Sequence, residues 1–250
     1  MSAPSSETGE RPLLSVIVPV YNEEATLPEI LRRIRATGID LEIVCVDDGS
    51  TDRSREILAA EENERTRVIL HERNLGTAGA LATGFAAARG EILIIQDADL
   101  EYDPAEFARV IEPIRTGQAD VVFGSRFQGH QARVHLFFHY VANRLLTLLS
   151  NICTNLNLTD MECCYKAFRR EILQVIRIES RRFAVEPELV QKVAKLGVKV
   201  YEVGVSYHGR DYSEGKKIGI LDAFEAVWAI FRFKLFWRPP SDWVPPRRRG

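Results

Sequence analysis

Five short apolar runs in the first 125 residues alternate with stretches of helical periodicity, and no other feature constrains the chain as strongly. Leu14–Val20 is continuously apolar and rich in β-branched residues, the pattern of a strand buried on both faces of a parallel sheet. Behind it Leu27, Ile30, Leu31 and Ile34 recur at helical spacing, and the stretch ends near Gly38. Leu41–Val46, Arg67–His71, Ile92–Gln96 and Val121–Phe123 repeat the strand pattern. Asp52–Glu62, Ala78–Ala88 and a segment opened by Pro104, a residue suited to a first helical turn, read as helices. Strands alternating with helices require right-handed crossovers, hence an α/β fold with a mostly parallel sheet flanked by helices. Sheets of this kind bind ligands beyond the carboxyl ends of their strands. Every polar cluster in this half falls at such an end.

The alternation stops in the second half, where Val134–Ile152, Glu186–Leu196 and Gly219–Phe236 read as helices and Cys164–Phe168 and Val198–Val205 as strands. The expected organisation is a polar, flexible tail over 1–12, one domain over 13–237 and a basic tail over 238–250. Charge divides at the same place. Residues 1–125 carry 12 Lys and Arg against 23 Asp and Glu, whereas residues 126–250 carry 21 against 12, beneath a net charge of only −2. An acidic half suits a cation and a basic half an anion or an anionic surface.

With 46% hydrophobic and 27% charged residues, the chain can build a core, which argues against disorder, collagen or a disulfide scaffold. Cys45, Cys153, Cys163 and Cys164 have no metal-ligand spacing, and no secretory signal precedes the first strand, so a reduced, cytosolic chain is expected. No window reaches the ~18 uninterrupted apolar residues of a spanning helix. The nearest, Val134–Leu149, is broken by His135, His139, Asn143 and Arg144.

Four clusters carry chemistry. Asp97-Ala98-Asp99-Leu100-Glu101 follows a buried strand, and carboxylates at i and i+2 can share one hard cation such as Mg²⁺ or Mn²⁺, with Glu101 as a third ligand. The competing reading is an acidic turn that caps the helix at Pro104. Asp47-Asp48-Gly49-Ser50-Thr51-Asp52 can accept bonds from a base or a ribose, or simply cap a helix. Pro19-Val20-Tyr21-Asn22-Glu23-Glu24 offers an aromatic ring for stacking on a base, or a plain strand-to-helix turn. Arg73-Asn74-Leu75-Gly76-Thr77-Ala78-Gly79 sets small residues at a helix start, where N–H groups can approach phosphate.

In order and spacing, Ser15–Glu23, Asp47–Asp52, Asn74-Leu75-Gly76 and Asp97-Ala98-Asp99 together resemble family 2 glycosyltransferases of the GT-A (Rossmann-like) fold. Gly124-Ser125-Arg126-Phe127 and the run YHGRDYSEGKK over Tyr207–Lys217 resemble the branch that makes polyprenyl-phosphate sugars, typified by dolichyl-phosphate mannose synthase. The resemblance covers Leu13 to Phe236. It implies a GT-A sheet followed by acceptor-side helices, and a nucleotide sugar, GDP-mannose or UDP-glucose, as donor. Pro19, Tyr21, Glu23, Asp48, Gly76 and Asp97 would contact the donor, and Asp97, Asp99 and Glu101 would bind Mg²⁺ or Mn²⁺. Arg126, His139, Asn143 and Ser213 would meet the acceptor phosphate, with Asp99, Arg126, Arg210 and Lys216 central to transfer. His139 and Asn143 stand where the mannose synthases carry Arg and Ser, and Cys163-Cys164-Tyr165-Lys166 replaces their Ser-Gly-Phe-Arg. A bacterial-type branch with Glu186-Pro187-Glu188 fits that segment better.

The implied reaction is metal-dependent, inverting transfer of a hexose, mannose before glucose, to a polyprenyl or dolichyl phosphate. A phosphate acceptor is largely dianionic at neutral pH and needs aligning cations rather than a base. A saccharide hydroxyl acceptor would need one, and Glu186 and Glu188 are the candidates, unless they merely begin a helix. A non-catalytic nucleotide-sugar-binding scaffold is the third reading. Expected partners are the donor, the lipid, a membrane surface or an integral membrane protein, and a homo-oligomeric copy, but no nucleic acid. Apolar residues at Phe137–Leu149 and Phe231–Trp237, with nearby Arg and Lys, suit a bilayer interface, a core or a dimer surface. With no spanning helix in the sequence, the chain is expected to attach peripherally to the cytosolic face of a membrane or to be recruited there by a membrane partner.

Overall fold

The computed structural model describes residues 11–128, 137–180, 184–209 and 220–246, the last of these without the side chains of 220–222. Its centre is a seven-stranded sheet in the order β3-β2-β1-β4-β6-β5-β7. The strands are β1 (Leu14–Val20), β2 (Leu41–Asp47), β3 (Thr66–Leu70), β4 (Ile92–Ile95), β5 (Val121–Ser125), β6 (Lys166–Arg169) and β7 (Val200–Gly204). The five runs of the first half all form strands within a few residues of the expected bounds. β6 alone runs antiparallel, to β4 on one side and β5 on the other. That reversal carries the start of β6, Lys166 opposite Phe123, to the same edge at which the parallel strands end.

Among the described residues eight helices flank the sheet: α1 (Leu27–Arg35), α2 (Ser54–Glu61), α3 (Thr77–Ala87), α4 (Phe107–Arg115), α5 (Phe137–Thr154), α6 (Arg170–Val175), α7 (Val185–Leu196) and α8 (Ile220–Phe236). A short 3₁₀ turn, Pro104–Glu106, leads into α4, and Asp103 caps it by accepting from the Ala105 N–H at 3.0 Å. The six-residue α6 has no separate signal in the sequence, because it follows β6 without a break.

Alternation along β1 decides the layers. Val16, Val18 and Val20 join Leu27, Ile30, Leu31 and Phe107 in one core. Ile17 faces the other way, into a second core with Val44, Val46, Leu81, Leu189 and Val193. A strand buried on both faces cannot be amphipathic, which is why β1 reads as an unbroken apolar run. The α3 helix packs unusually close to the sheet: a Cβ on Gly84 would stand 2.3 Å from Ile17 Cγ2. Beyond α8 the chain stays on the body, where Trp243 Nε1 donates to the Leu196 carbonyl at 3.1 Å. Among the described residues no helix is long and apolar enough to cross a membrane. All four cysteines are free thiols; Cys45, Cys153 and Cys163 are buried and Cys164 partly so.

Candidate active site

The loops after β1, β2 and β3 are stapled to one another by side chains of the expected clusters. Asn22, with φ of 57°, donates its N–H to Ser50 Oγ at 3.0 Å and accepts from the Thr51 N–H at 2.8 Å. The Glu23 N–H donates to Ser54 Oγ at 3.0 Å, and the Glu23 carboxylate accepts from the Thr26 hydroxyl at 2.8 Å. Tyr21 remains 48% exposed, with its ring open to a stacking partner, and Pro19 is half-buried at the end of β1.

Asp48 is buried and bound inside the protein rather than presented outward. Its carboxylate accepts from the N–H groups of Leu75 at 2.9 Å and Gly76 at 2.7 Å, and from His71 Nδ1 at 2.7 Å. His71 Nε2 in turn meets the Thr83 hydroxyl at 2.9 Å. Asp48 and the Gly76 N–H, both expected to contact a donor, bond each other and together shape the loop at the start of α3. Gly49 makes this possible, since its φ is +82° and a Cβ there would meet Asn74 N at 2.8 Å.

Asp97 and Asp99 follow β4. Asp99 accepts from the Glu101 N–H at 3.0 Å, and Leu100 takes φ of 63°, so the three acids occupy one tight turn. Burial and the adjacent Asp99 charge, with further pressure from Glu186 and Glu101, push the Asp97 carboxyl up to about 8, against an opposing hydrogen bond from Cys164. A carboxyl so crowded by negative charge has the electrostatics of a cation site. Glu101, however, accepts from the Tyr207 hydroxyl at 2.8 Å. Among the described residues no three acids, histidines or cysteines are gathered as a complete ligand set. The donor set therefore fits a cation that takes two protein carboxylates and completes its shell from a bound ligand or water.

A second group of charges, on the basic half, is buried and mutually paired. Arg126, just after β5, donates Nε to Asp160 Oδ2 at 2.7 Å and Nη2 to Asp160 Oδ1 at 2.8 Å. Asn143 from α5 adds a bond to Asp160 Oδ1 at 2.9 Å. Burial pushes Asp160 upward, but the charge and hydrogen bonds of Arg126 and the bond from Asn143 outweigh it and leave the carboxyl below its ordinary range. Glu202 on β7 accepts from the N–H groups of Thr159 at 2.8 Å and Asp160 at 3.2 Å, which fixes that turn. The Arg126 guanidinium also lies 5.2 Å from the centre of the Tyr207 ring, so Tyr207 spans Arg126 and Glu101.

Lys166 is buried at the start of β6 and reaches Glu186 and the Cys163 carbonyl, with the Met161 carbonyl at 3.3 Å. Burial, only partly offset by Lys166, raises the Glu186 carboxyl. Burial and the Glu186 charge, against Lys166, push the nearby Glu162 carboxyl up to about 7. Glu188 is different. It is fully buried and accepts from Lys192 Nζ at 2.6 Å and from the N–H groups of Glu179 and Ser180 at 2.8 and 2.7 Å. That makes it a structural acid, which corrects its place among the candidate bases.

The expected residues thus fall into three groups. Glu101 and Arg126 meet at Tyr207, with Asp97 and Asp99 in the same turn as Glu101, while Pro19, Tyr21, Glu23, Asp48 and Gly76 form the stapled loops beside them. Asn143 acts on Asp160, and His139 is half-buried one turn earlier on α5. Arg210, Ser213 and Lys216 lie outside the described residues. Asp160, Glu162 and Glu202 escape sequence reasoning, because nothing local marks their partners. The one available signal was the cluster of acids, Asp160 and Glu162, just before a strand in a basic half.

The family model for glycosyl transferase family 2 matches residues 15–177. The chain belongs to that family. The undecaprenyl-phosphate 4-deoxy-4-formamido-L-arabinose transferase of Pseudomonas aeruginosa is 36% identical over 211 residues, covering 82% of this chain and 60% of the relative. Its counterpart in Aeromonas hydrophila is 33% identical over 211 residues, covering 82% and 62%. The chain thus spans about 60% of the length of these curated relatives. Among solved structures, glucosyl-3-phosphoglycerate synthase from Mycobacterium tuberculosis, in complex with Mn²⁺, UDP and phosphoglyceric acid, superposes with a TM-score of 0.70 at 21% identity, covering 92% of this chain and 80% of that one. The same enzyme with Mg²⁺ and UDP gives 0.67 at 22% identity, covering 92% and 81%. The fold is GT-A.

Proposed function

We propose that this protein transfers a sugar from a nucleotide diphosphate to the phosphate of a polyprenyl lipid, at the cytosolic face of a membrane, with Mg²⁺ or Mn²⁺ held by Asp97 and Asp99. The observation that carries this reading is the pairing, across Tyr207, of an acidic turn with a single aligned arginine. One side offers two carboxylates to a cation, and the other offers a guanidinium to an anion. The names of the curated relatives support a polyprenyl-phosphate acceptor, and the metal and UDP in the solved neighbours support a cation-assisted donor.

A cation held by Asp97 and Asp99 would supply Lewis-acid stabilisation to the departing diphosphate. The protein's own residues do the rest. Tyr21 presents an exposed ring to the base, at the mouth of loops held rigid by Ser50, Ser54 and Asp48. Arg126, fixed on two of its nitrogens by Asp160, keeps its remaining N–H groups to align an acceptor phosphate. An oxygen of that phosphate attacks the anomeric carbon as the bond to the diphosphate breaks, with inversion, and the nucleoside diphosphate leaves with the electron pair. No base is required, and the buried acids suit this: Lys166 faces Glu186, and Glu188 is committed to Lys192.

The donor sugar is mannose or glucose by family resemblance, whereas the curated relatives are named for a formamido-arabinose. Purified protein with Mg²⁺, labelled GDP-mannose, UDP-glucose or nucleotide-linked 4-deoxy-4-formamido-L-arabinose, and undecaprenyl or dolichyl phosphate should yield a labelled lipid with one of the donors. Asp99→Asn should lower that rate by ~10²–10³-fold, as loss of a transition-state electrostatic contact does. Glu186→Gln should lower it modestly. Abolition by Glu186→Gln with activity on a saccharide hydroxyl would point to the base-assisted reaction, and an Asp99→Ala variant with unchanged function would point to a binding scaffold. No labelled lipid from any donor, with donor binding intact, overturns the proposal.

A further inference from the structure

The turn between α5 and β6 carries an acid that no described residue satisfies. Among the described residues three buried side-chain atoms lack a hydrogen-bond partner: Asp47 Oδ2, Arg169 Nε and Glu162 Oε1. The first two belong to side chains that bond through another atom. Asp47 Oδ1 accepts from Arg55 Nε at 2.7 Å, and Arg169 Nη2 donates to the Ile114 carbonyl at 3.0 Å. Glu162 has no second bond of that kind, and it plays no part in the transfer chemistry derived above. As a residue it is only half-buried, so a ligand can reach it.

The backbone on either side of Glu162 is fixed. The Asp160 N–H donates to Glu202 at 3.2 Å and the Met161 N–H to the Thr147 hydroxyl at 3.1 Å. The Met161 and Cys163 carbonyls both accept from Lys166 Nζ, which also reaches Glu186. A carboxyl oxygen held this rigidly and bonded to nothing calls for a reason, and a ligand supplies one. Its surroundings say which part of the ligand. Glu186 bears electrostatically on Asp97 in the acidic turn and on Glu162, and Glu162 also feels Arg126 and Asp160. Glu162 and Glu186 therefore lie between the turn suited to a cation and the arginine suited to a phosphate. In an in-line transfer the departing diphosphate and the attacking phosphate stand on opposite sides of the sugar, so the sugar is what lies between them. Glu186 is already paired with Lys166, whereas Glu162 is not. A carboxylate repels phosphate, but a hydroxyl or an amide both donates and accepts and suits the carboxyl in either protonation state. Burial and the Glu186 charge hold that carboxyl up to about 7, so both states are within reach at neutral pH.

We propose that Glu162 determines donor specificity by hydrogen-bonding a hydroxyl or amide substituent of the donor sugar. This rests on the sugar-transfer reading of the site, but not on which acceptor the sugar reaches. A donor that places such a group against Glu162 satisfies the idle oxygen, and one that places a bare carbon there leaves it unpaired, which is how a buried polar group discriminates between similar ligands.

The test is calorimetric titration of the full chain, in Mn²⁺, with GDP-mannose, UDP-glucose and nucleotide-linked 4-deoxy-4-formamido-L-arabinose, and with GDP and UDP alone. For the donor that the wild type binds most tightly, Glu162→Ala should raise the Kd about tenfold, the worth of one hydrogen bond to a charged group, and leave the Kd of the bare nucleoside diphosphate within roughly twofold. Glu162→Gln keeps one acceptor oxygen and should lose less; it carries the comparison if Glu162→Ala fails to fold. A monodeoxy donor that lacks the group Glu162 reads should bind the wild type about as weakly as the full donor binds Glu162→Ala, with no further loss in the variant. An equal rise for donor and bare diphosphate, or no rise for either, overturns the assignment. Loss of transfer at unchanged donor affinity overturns it as well, because it would make Glu162 a base. Donor-specific weakening in a protein that labels no lipid would leave the role of Glu162 standing and sink the lipid-phosphate reading. Labelled lipid, with the donor Kd unchanged in both variants, would do the reverse.

Discussion

The two halves of the site are built by different physics. In the first half the loops after β1, β2 and β3 are held mostly by single hydrogen bonds from backbone N–H groups to serine hydroxyls and to asparagine and aspartate oxygens. In the second half Arg126–Asp160 and Lys166–Glu186 are buried ion pairs between elements or turns, and Lys192–Glu188 is a buried pair one turn apart on α7. The first kind sets backbone shape and leaves the Tyr21 ring about half exposed. The second fixes charged side chains in one orientation and makes each dependent on its partner, since a buried charge left alone costs far more than the pair contributes.

That difference is sharpest under substitution. Lys166→Met strands the Glu186 carboxylate inside the protein and should destabilise by about 3–5 kcal/mol in urea unfolding. The double variant with Glu186→Gln should recover most of the loss, and a single-variant cost well under 1 kcal/mol would show that water reaches the pair. On the donor side Gly49→Ala places a Cβ 2.9 Å from the Arg73 carbonyl carbon at a φ of +82° and should cost about 1–3 kcal/mol. It should also weaken nucleotide binding, read by thermal shift, because it displaces the loop that Asp48 shapes.

Glu162 gives a pH test of the buried half. Its carboxyl is held up to about 7, above the ordinary 4.5, so the folded state binds the proton more tightly than the unfolded chain. The stabilisation is therefore complete below about pH 4.5 and is lost as pH rises through about 7. Urea midpoints should fall over that interval by the equivalent of about 3 kcal/mol, superimposed on other titrations, and Glu162→Gln should flatten that component. An identical pH profile in Glu162→Gln would place Glu162 in contact with water. The smallest effect belongs to Ser54→Ala, which removes one acceptor from the Glu23 N–H and should cost about 1 kcal/mol.

Much of the donor half was legible along the chain because its signals are local. The apolar run Leu14–Val20 announced a doubly buried strand, and Asp97-Ala98-Asp99 sits where a parallel strand must end. The Ser, Thr and Asp residues after β2 are good turn formers wherever they occur. Even there some partners were not legible: Asp48 bonds Leu75, Gly76 and His71, 23 to 28 residues away.

The sequence by itself determined the α/β alternation, the edge of the sheet at which ligands bind, the acidic turn after β4 and the family. Only the tertiary structure decided which charges are committed. Asp160 gains its meaning from Arg126, 34 residues earlier, Lys166 from Glu186, 20 residues later, and Glu188 loses its chemical candidacy to Lys192. The physical reason is that strand and turn patterns arise from steric and hydrophobic rules acting over a few residues. A buried ion pair such as Arg126–Asp160 or Lys166–Glu186 exists only where the fold removes water from two distant side chains together. In this chain the antiparallel β6 does that, by returning Lys166 and the turn before it to the edge where β4 and β5 end.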